Sequence, residues 1–197
     1  MILEGIVTTL SLEGLLNVAP MGPQVDEAMR RFVLRPYRTS TTYRNLKARG
    51  EGVLHVTDDV LLLARTAVGS PTEVASRPAD VVEGRIILGA CRYYEFRVTG
   101  LDDRDDRTTI TVETVAEGRL RDFFGFNRAK HAVIEAAILA TRTAFLPHDE
   151  IRAEFERLAV LVDKTGGPAE HAAFDHLRAY LDDAAPPGDP LQDDPRS

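Results

Sequence analysis

Residues 35–46 read Arg-Pro-Tyr-Arg-Thr-Ser-Thr-Thr-Tyr-Arg-Asn-Leu, and the predicted fold is organised around them. They follow an apolar segment, residues 32–34, that predicts a short strand. They also open a helix that we expect from about Thr41 to Arg49, which Gly50 would end in a left-handed conformation. The stretch therefore predicts a strand, a polar turn and a short helix in succession.

The polar turn of this stretch has the composition of an anion site. A helix start leaves about four backbone N–H groups without partners and carries a partial positive charge. Four consecutive hydroxyl residues, 39–42, lie there beside Arg35, Arg38 and Arg44. Ser40 or Thr41 could simply cap the helix, but a cap needs only one hydroxyl. The turn therefore has two interpretations, a helix cap or a phosphate receptor.

The composition argues for one globular domain, or one domain with an appendage. The chain has 197 residues, of which 44% are apolar and 28% are charged. Its net charge is −7, and residues 182–197 contribute −4 of it, from five aspartates and one arginine. The body is only mildly acidic, so we expect no nucleic-acid partner.

The sequence also predicts a cytoplasmic protein without a metal site or a membrane segment. Glu4 interrupts the first apolar stretch, so no signal peptide is expected, and no apolar run approaches ~18 residues. Cys91 is the only cysteine, which indicates a reducing compartment, and its apolar neighbours predict a buried strand residue rather than a nucleophile. His171 and His176 do not share a helix face, and no cysteine or acidic cluster has ligand spacing.

Residues 1–120 predict an antiparallel β-barrel, because six or seven short strands alternate with only small helices. Residues 2–19 read as a hairpin with its turn at Glu13-Gly14. Asp58 and Asp59 would cap a short helix. The other assignments are a strand at 51–57, a helix at 60–68, a loop at 70–84, a buried strand at 85–92, and a second hairpin from 94–99 and 108–113.

The rest of the chain predicts three helices. The first, from Asn127 to about Phe145, is apolar over most of its circumference and needs cover on two sides. We expect the barrel to cover one side and a second subunit the other, which predicts a homodimer. Two further helices, beginning at Pro147 and Ala169, would form a helical hairpin. The predicted domains are a barrel at 1–125, a helical subdomain at 126–182 and a disordered tail at 183–197.

Several short motifs follow one another in a fixed order: Asn17-Val18-Ala19-Pro20, then Thr42-Tyr43-Arg44-Asn45, then Gly50-Glu51-Gly52-Val53-Leu54-His55-Val56. They resemble the N-x-A-P turn and the T-x-x-N and G-E-x-V-x-N-V segments of the flavin-reductase-like FMN-binding split barrels. Residues 57–59 and 127–142 resemble a branch of that superfamily with C-terminal helices, often encoded among tetrahydromethanopterin-type one-carbon enzymes. His55 departs from the usual Asn, and Met21-Gly22-Pro23 departs from the usual Ser and aromatic residue.

The resemblance spans residues 1–145 and implies a β-barrel plus α fold, an FMN-binding split barrel with a C-terminal helical subdomain. By position, backbone around Ala19, Pro20 and Met21 would line the isoalloxazine ring, with Asn17 supporting the turn. The phosphate and ribityl chain would be bound by Ser40, Thr41, Thr42 and Asn45, with Arg38 neutralising charge. Asn127, Arg128 and Lys130 would reach a phosphate or the flavin edge, in a dimer from the other subunit, although Asn127 could equally cap its helix.

The resemblance implies a homodimeric FMN-binding oxidoreductase with the flavin near the subunit interface. It would pass a hydride from a reduced nicotinamide or similar donor to a small-molecule acceptor such as a flavin or pterin. No catalytic residue is identified, and no G-x-G-x-x-G segment follows a strand. Two alternatives are a non-catalytic flavin-binding or assembly protein, and a split barrel that binds another phosphorylated ligand such as pyridoxal phosphate.

Overall fold

The computed structural model describes residues 1–70 and 73–184. The described residues divide into two compact units that interleave along the chain. The barrel unit contains residues 1–59 and 73–125, and the helical unit contains residues 60–70 and 126–184. Residues 185–197 of the predicted tail lie outside the described residues, whereas Asp183 belongs to the last helix and Ala184 follows it.

The barrel unit is built on a seven-stranded antiparallel sheet in the order β2-β1-β5-β8-β9-β4-β3. Its strands are β1 (Gly5–Leu10), β2 (Leu16–Met21), β3 (Gln24–Val25), β4 (Arg31–Leu34), β5 (Glu51–Val56), β8 (Arg92–Asp102) and β9 (Thr109–Arg119). The first hairpin and its turn at Gly14, which has φ of 82°, are as predicted.

The N-terminal residues bring the two ends of this sheet together. Ile2 forms a bridge with Gln24 of β3, although β1 lies near the opposite end of the strand order. The backbone N–H of Val25 donates to the carbonyl of Met1 at 2.9 Å, and that of Leu3 donates to Pro23 at 3.0 Å. The prediction of a nearly closed barrel is therefore confirmed. Its main core includes Phe32 and Phe96, which make an edge-to-face contact with ring centroids 5.3 Å apart.

A second, two-stranded sheet replaces part of the predicted loop and part of the predicted strand at 85–92. Strand β6 (Ser76–Pro78) pairs with β7 (Arg85–Ile87), and residues 88–91 then turn into β8. Cys91 is buried, as predicted, but it lies in this turn rather than in a strand. Its backbone holds the turn, because its N–H donates to Val56 and its carbonyl accepts from Leu120, both at 2.9 Å.

The helical unit contains α2 (Val60–Ala67), α3 (Arg128–Ala140), α4 (His148–Thr165) and α5 (Pro168–Asp183). Helix α3 ends at Ala140, five residues before the predicted Phe145, which lies in a turn and is 80% exposed. Within this unit α3 packs against α2, α4 and α5. The apolar circumference of α3 is therefore covered by helices of its own unit, and it does not by itself require a second subunit.

Candidate functional site

The helix α1 (Thr41–Arg49) begins and ends as the sequence predicts. Ser40 caps it, since the backbone N–H of Tyr43 donates to Ser40 Oγ at 3.1 Å. Gly50 ends it with φ of 70°, a left-handed conformation that favours glycine. Thr41 is exposed, and Arg44 donates from Nη2 to Thr41 Oγ1 at 3.0 Å. The helix start thus keeps an exposed hydroxyl and an arginine beside the capping serine.

A buried cluster of amides and hydroxyls joins this helix to strand β2. Asn17 donates from Nδ2 to Thr42 Oγ1 at 3.1 Å and to Thr9 Oγ1 at 3.2 Å. Asn45 donates from Nδ2 to the same Thr9 oxygen at 3.0 Å. Thr9, Thr42 and Asn45 are all buried. Three predicted site residues therefore meet in one hydrogen-bonded group that fixes α1 against the N-x-A-P segment.

The residues predicted to line a ring lie on the edge strand of the sheet. Strand β2 pairs with β1 alone, and Ala19, Pro20 and Met21 near its end are partly exposed. An edge strand has a row of backbone N–H and C=O groups directed away from its single neighbour. The Ser11 N–H donates to the carbonyl of Leu15 in the same ladder, so by alternation Ala19 and Met21 direct their backbone groups to β1. Val18 and the carbonyl of Pro20 face the free side and are available to a ligand. The edge position also explains how β2 accommodates a proline.

Charge around the start of α1 is partly balanced. Arg38 and Thr41 are exposed there, and the Arg38 backbone N–H donates to the carbonyl of Asp106 at 2.8 Å. Asp103 accepts hydrogen bonds from Lys47 at 2.8 Å and from the Tyr43 hydroxyl at 2.7 Å. The Lys47 hydrogen bond, with smaller contributions from Tyr43 and Arg38, lowers the pKa of Asp103 below its ordinary value. The guanidinium of Arg38 therefore lies within the field of an ionised carboxylate.

The other three predicted site residues lie in the helical unit. Asn127 caps α3 by accepting from the backbone N–H of Lys130 at 3.1 Å, and its amide donates to the carbonyl of Thr165 at 3.0 Å. Lys130 forms a largely buried ion pair with Glu170 at 2.8 Å. Arg128 is exposed. Asn127 and Lys130 thus connect α3 to α4 and α5, and the helix-cap interpretation of Asn127 is confirmed.

Two buried polar residues of the barrel were not predicted as organising groups. His55 Nε2 accepts from the backbone N–H of Ile87 at 3.0 Å, so its Nδ1, 3.2 Å from the carbonyl of Ile6, is the donor. Burial lowers the pKa of His55 to about 4. Glu95 accepts from three consecutive backbone N–H groups, those of Asp80, Val81 and Val82, at 2.7–2.9 Å.

The barrel unit also has a cavity of about 260 Å³ at the ends of β5, β8 and β9. Its lining residues are Val56, Cys91, Arg92, Arg119, Arg121, Asp122 and Phe123. Burial raises the pKa of the Cys91 thiol, so this sulfur is not an activated nucleophile. Nothing in the sequence singled out this cavity, because its arginines come from segments that only the sheet brings together.

The part of the chain that the structure describes contains no group of three or more histidine, cysteine or acidic side chains arranged to hold a metal ion. Within residues 1–70 and 73–184, no helix has the length and apolar character to cross a membrane.

Comparison with known families and structures identifies the fold. Residues 3–121 match the family model "Protein of unknown function (DUF447) N-terminal domain", and residues 127–179 match the model "Protein of unknown function (DUF447)". No protein with curated function matches the sequence.

Three solved structures illustrate the likeness. An FMN-bound protein of Methanosarcina mazei from the same family is 22% identical, with a TM-score of 0.78 over 91% of this chain and 94% of that one. The 2-nitrobenzoate 2-nitroreductase of Pseudomonas fluorescens is 21% identical, with a TM-score of 0.50 over 59% of this chain and 64% of that one. The NADH:FAD oxidoreductase of Streptomyces globisporus is 12% identical, with a TM-score of 0.50 over 59% and 74%. The predicted fold, a split barrel with C-terminal helices, is confirmed.

Proposed function

This chain belongs to the DUF447 family, and from that premise we propose that it is an FMN-binding flavoprotein that acts as an oxidoreductase. The observation that carries the proposal is the hydrogen bond between Asn17 Nδ2 and Thr42 Oγ1 at 3.1 Å. This hydrogen bond connects β2 with the start of α1. Strand β2 would supply backbone groups to a ligand, and the start of α1 would supply positive charge and hydroxyl groups. The FMN bound to the family member from Methanosarcina mazei supports the same ligand here.

The residues at the start of α1 fit the phosphate of such a ligand. Thr41 and Arg38 are exposed there, and the helix start adds partial positive charge. Arg44 is held by its bond to Thr41, so it adds a positioned guanidinium. Buried Thr42 and Asn45, together with Asn17, act in support by fixing the helix to β2. Ser40 would contribute its backbone while its side chain caps the helix.

The edge strand fits the ring of the ligand. The backbone of Val18 and the carbonyl of Pro20 on the free side of β2 would meet the polar edge of an isoalloxazine, with Ala19 and Met21 on either side of Pro20. Of the residues at the start of α3, Arg128 is the exposed cation, and in a homodimer it would approach the phosphate bound to the other subunit. In this proposal Asn127 and Lys130 position α3 rather than contact the ligand.

We propose that the reaction is hydride exchange between a reduced nicotinamide or similar donor and a small acceptor. Bound FMN supplies the hydride chemistry, and the chain supplies position, electrostatics and exclusion of water. The likeness to an NADH:FAD oxidoreductase and a nitroreductase supports this reaction class at the level of the fold. No side chain of the described residues is assigned a proton-transfer step.

We also propose a homodimer in the cytoplasm. Leu12, Leu15 and Leu16 are all exposed at the turn that precedes β2 and at its first residue, and an apolar patch of this kind favours contact with another copy. The single cysteine supports a reducing compartment.

A different phosphorylated ligand is the second candidate, because Arg38 and Thr41 would bind any phosphate.

The decisive experiment is an absorption spectrum of the purified protein, with mass spectrometry of the released small molecule. We expect the spectrum and mass of FMN, or quenching of FMN fluorescence when it is added to colourless protein. Pyridoxal phosphate in the released fraction would favour the second candidate. A colourless protein that leaves FMN fluorescence unchanged would overturn the proposal. Loss of the flavin absorbance when NADH or NADPH is added without oxygen would indicate an oxidoreductase, and an unchanged spectrum would indicate a flavin carrier.

A further inference from the structure

The cavity at the ends of β5, β8 and β9 is lined by three arginines. Arg92 and Arg119 are directly paired residues of β8 and β9, so their side chains lie on the same face of the sheet. Arg121 follows two residues after Arg119 and lines the same cavity, with Phe123 as an aromatic wall that is 49% exposed. A guanidinium cluster beside an aromatic ring is suited to a planar molecule that carries an acidic group.

The fold holds two of these guanidinium groups in position. Arg121 donates to Asp58, to the carbonyl of Gly89 at 3.0 Å and to the carbonyl of Asp122 at 3.1 Å. Arg119 forms an ion pair with Asp122. Side chains held in this way lose little freedom when a ligand binds, so their hydrogen bonds favour binding. The guanidinium groups of Arg119 and Arg121 are therefore pre-organised in the cavity before a ligand binds.

Arg92 is the least neutralised of the three arginines. Arg119 is paired with Asp122, and Arg121 is paired with Asp58 and lies in the field of Asp59. Arg92 forms no ion pair with any residue of the described ranges, and the Tyr94 hydroxyl and the more distant Glu117 raise its pKa. Its guanidinium is therefore the one most available to a bound anion.

The cavity shares one face and one end of the sheet with the predicted ring site. Val56 pairs with Arg92, and Arg92 pairs with Arg119, in one row across three strands. Met21 of β2 and Val56 of β5 both pack against the main barrel core, so they lie on the same face. Three strand spacings separate β2 from β8, so the backbones of Met21 and Arg92 are roughly 14 Å apart along the curved sheet. A small substrate can span that distance.

We propose that this cavity binds the carboxylate or phosphate of the substrate that exchanges a hydride with the flavin, with Arg92 as the principal anchor. The assignment of this anion as part of a hydride-exchange substrate rests on the proposed function, whereas the anion site itself does not. Arg92, Arg119 and Arg121 bind the anionic group, and Phe123 contacts the planar part of the molecule.

The test is titration calorimetry of FMN-loaded protein with malonate and with inorganic phosphate, at constant ionic strength. Malonate probes carboxylate binding and phosphate probes phosphate binding. Arg92→Gln removes the anchor, and Arg92→Lys restores its charge. Arg157→Gln is the matched control, because Arg157 is an exposed arginine of α4 and the substitution makes the same change of charge. In the FMN-loaded protein the start of α1 is occupied by the flavin phosphate, so the probes report on the cavity.

We expect at least one probe to bind, and Arg92→Gln to raise its dissociation constant about tenfold or more. Arg92→Lys should recover part of the affinity, and Arg157→Gln should leave it unchanged. Equal affinity in Arg92→Gln and the unaltered protein, or failure of both probes to bind, would overturn the proposal. If the protein takes up no FMN yet binds malonate through Arg92, the flavin function fails and the anion site stands.

Discussion

The backbone N–H of Ile87 donates a hydrogen bond to the Nε2 atom of His55, which is 3.0 Å away and completely buried. The other ring nitrogen faces the carbonyl of Ile6 at 3.2 Å. Strand β5 is thus connected through one imidazole to its neighbour β1 and to β7 of the small sheet. The interaction requires a neutral imidazole, because a protonated Nε2 cannot accept a hydrogen bond.

We therefore expect the free energy of unfolding to fall as the pH is lowered through the range between the two pKa values of His55. The unfolded pKa is near 6.5 and burial lowers the folded pKa to about 4. Between these values the unfolded state binds a proton that the folded state does not, so stability is full above pH 6.5 and is lost towards pH 4. The loss from this residue is about 3 kcal/mol.

Urea unfolding measured at several pH values from 4 to 7.5 checks this prediction. His55→Asn cannot titrate, so its unfolding curve should lack this component of the pH dependence, whatever its absolute stability. His171→Asn, at a half-exposed helix position, is the control, and its free energy of unfolding should still fall between pH 6.5 and pH 4. The same fall in His55→Asn as in the unaltered protein would contradict the assignment to His55.

Thr41 and Thr42 are adjacent in sequence, and we expect their valine variants to behave oppositely. Thr42→Val removes the buried acceptor of Asn17, so it should lower the free energy of unfolding by about 1–3 kcal/mol. Thr41→Val removes an exposed hydroxyl, so it should leave stability nearly unchanged and weaken FMN binding about tenfold. Chemical unfolding and FMN fluorescence titration measure the two quantities, and the same FMN affinity in Thr41→Val as in the unaltered protein would argue against a phosphate at this hydroxyl.

The three hydrogen bonds to Glu95 predict a local effect of Glu95→Gln. The amide presents one oxygen and no charge to the N–H groups of residues 80–82, so at least one of them loses its partner. We expect a loss of about 2–4 kcal/mol in stability and faster hydrogen exchange at those amides. Glu113→Gln, an exposed position on β9, should change neither. Unaltered exchange at residues 80–82 in Glu95→Gln would show that the carboxylate does not hold this segment.

Lys130 and Arg128 provide a matched pair at the start of α3. Lys130→Met leaves Glu170 without its ammonium partner in a largely buried place, so we expect a loss of about 2 kcal/mol in stability. Arg128→Met changes an exposed side chain and should have little effect on stability. Thermal unfolding of both variants measures what each side chain contributes to stability, and FMN titration measures whether it contributes to ligand binding. Normal stability with weakened FMN binding in Lys130→Met would instead assign this lysine to the ligand.

The sequence predicted α1 and the first hairpin well because their signals are local. Ser40 and Gly50 determine the ends of α1 through their own caps, and Gly14 supplies the turn between β1 and β2. These features depend on neighbouring residues and on backbone conformation, so they are readable without knowledge of the fold. The motif resemblance likewise located Asn17, Thr42 and Asn45, which the structure brings into one cluster.

Features that depend on distant partners could not be predicted. Strand β6 has three residues, one of them Pro78, and it is a strand only because β7 pairs with it. The partners of Glu95 lie thirteen to fifteen positions earlier in the chain. The early end of α3 has a local cause that the pattern of apolar residues hides: Thr141 bonds through its hydroxyl to the carbonyl of Ile138 at 2.8 Å, which competes with helix continuation.

The interleaving of the two units determines where this chain can be cut. Helix α2 lies in the sequence between segments of the barrel unit, yet its buried residues, Val60, Leu62, Leu63 and Ala64, belong to a helix that packs on α3 and α5. A protein truncated after residue 125 would retain α2 and lose both of these neighbours, so it would expose a hydrophobic helix face and tend to aggregate. An autonomous barrel would therefore require a short polar linker in place of residues 60–70 as well as removal of the C-terminal helices.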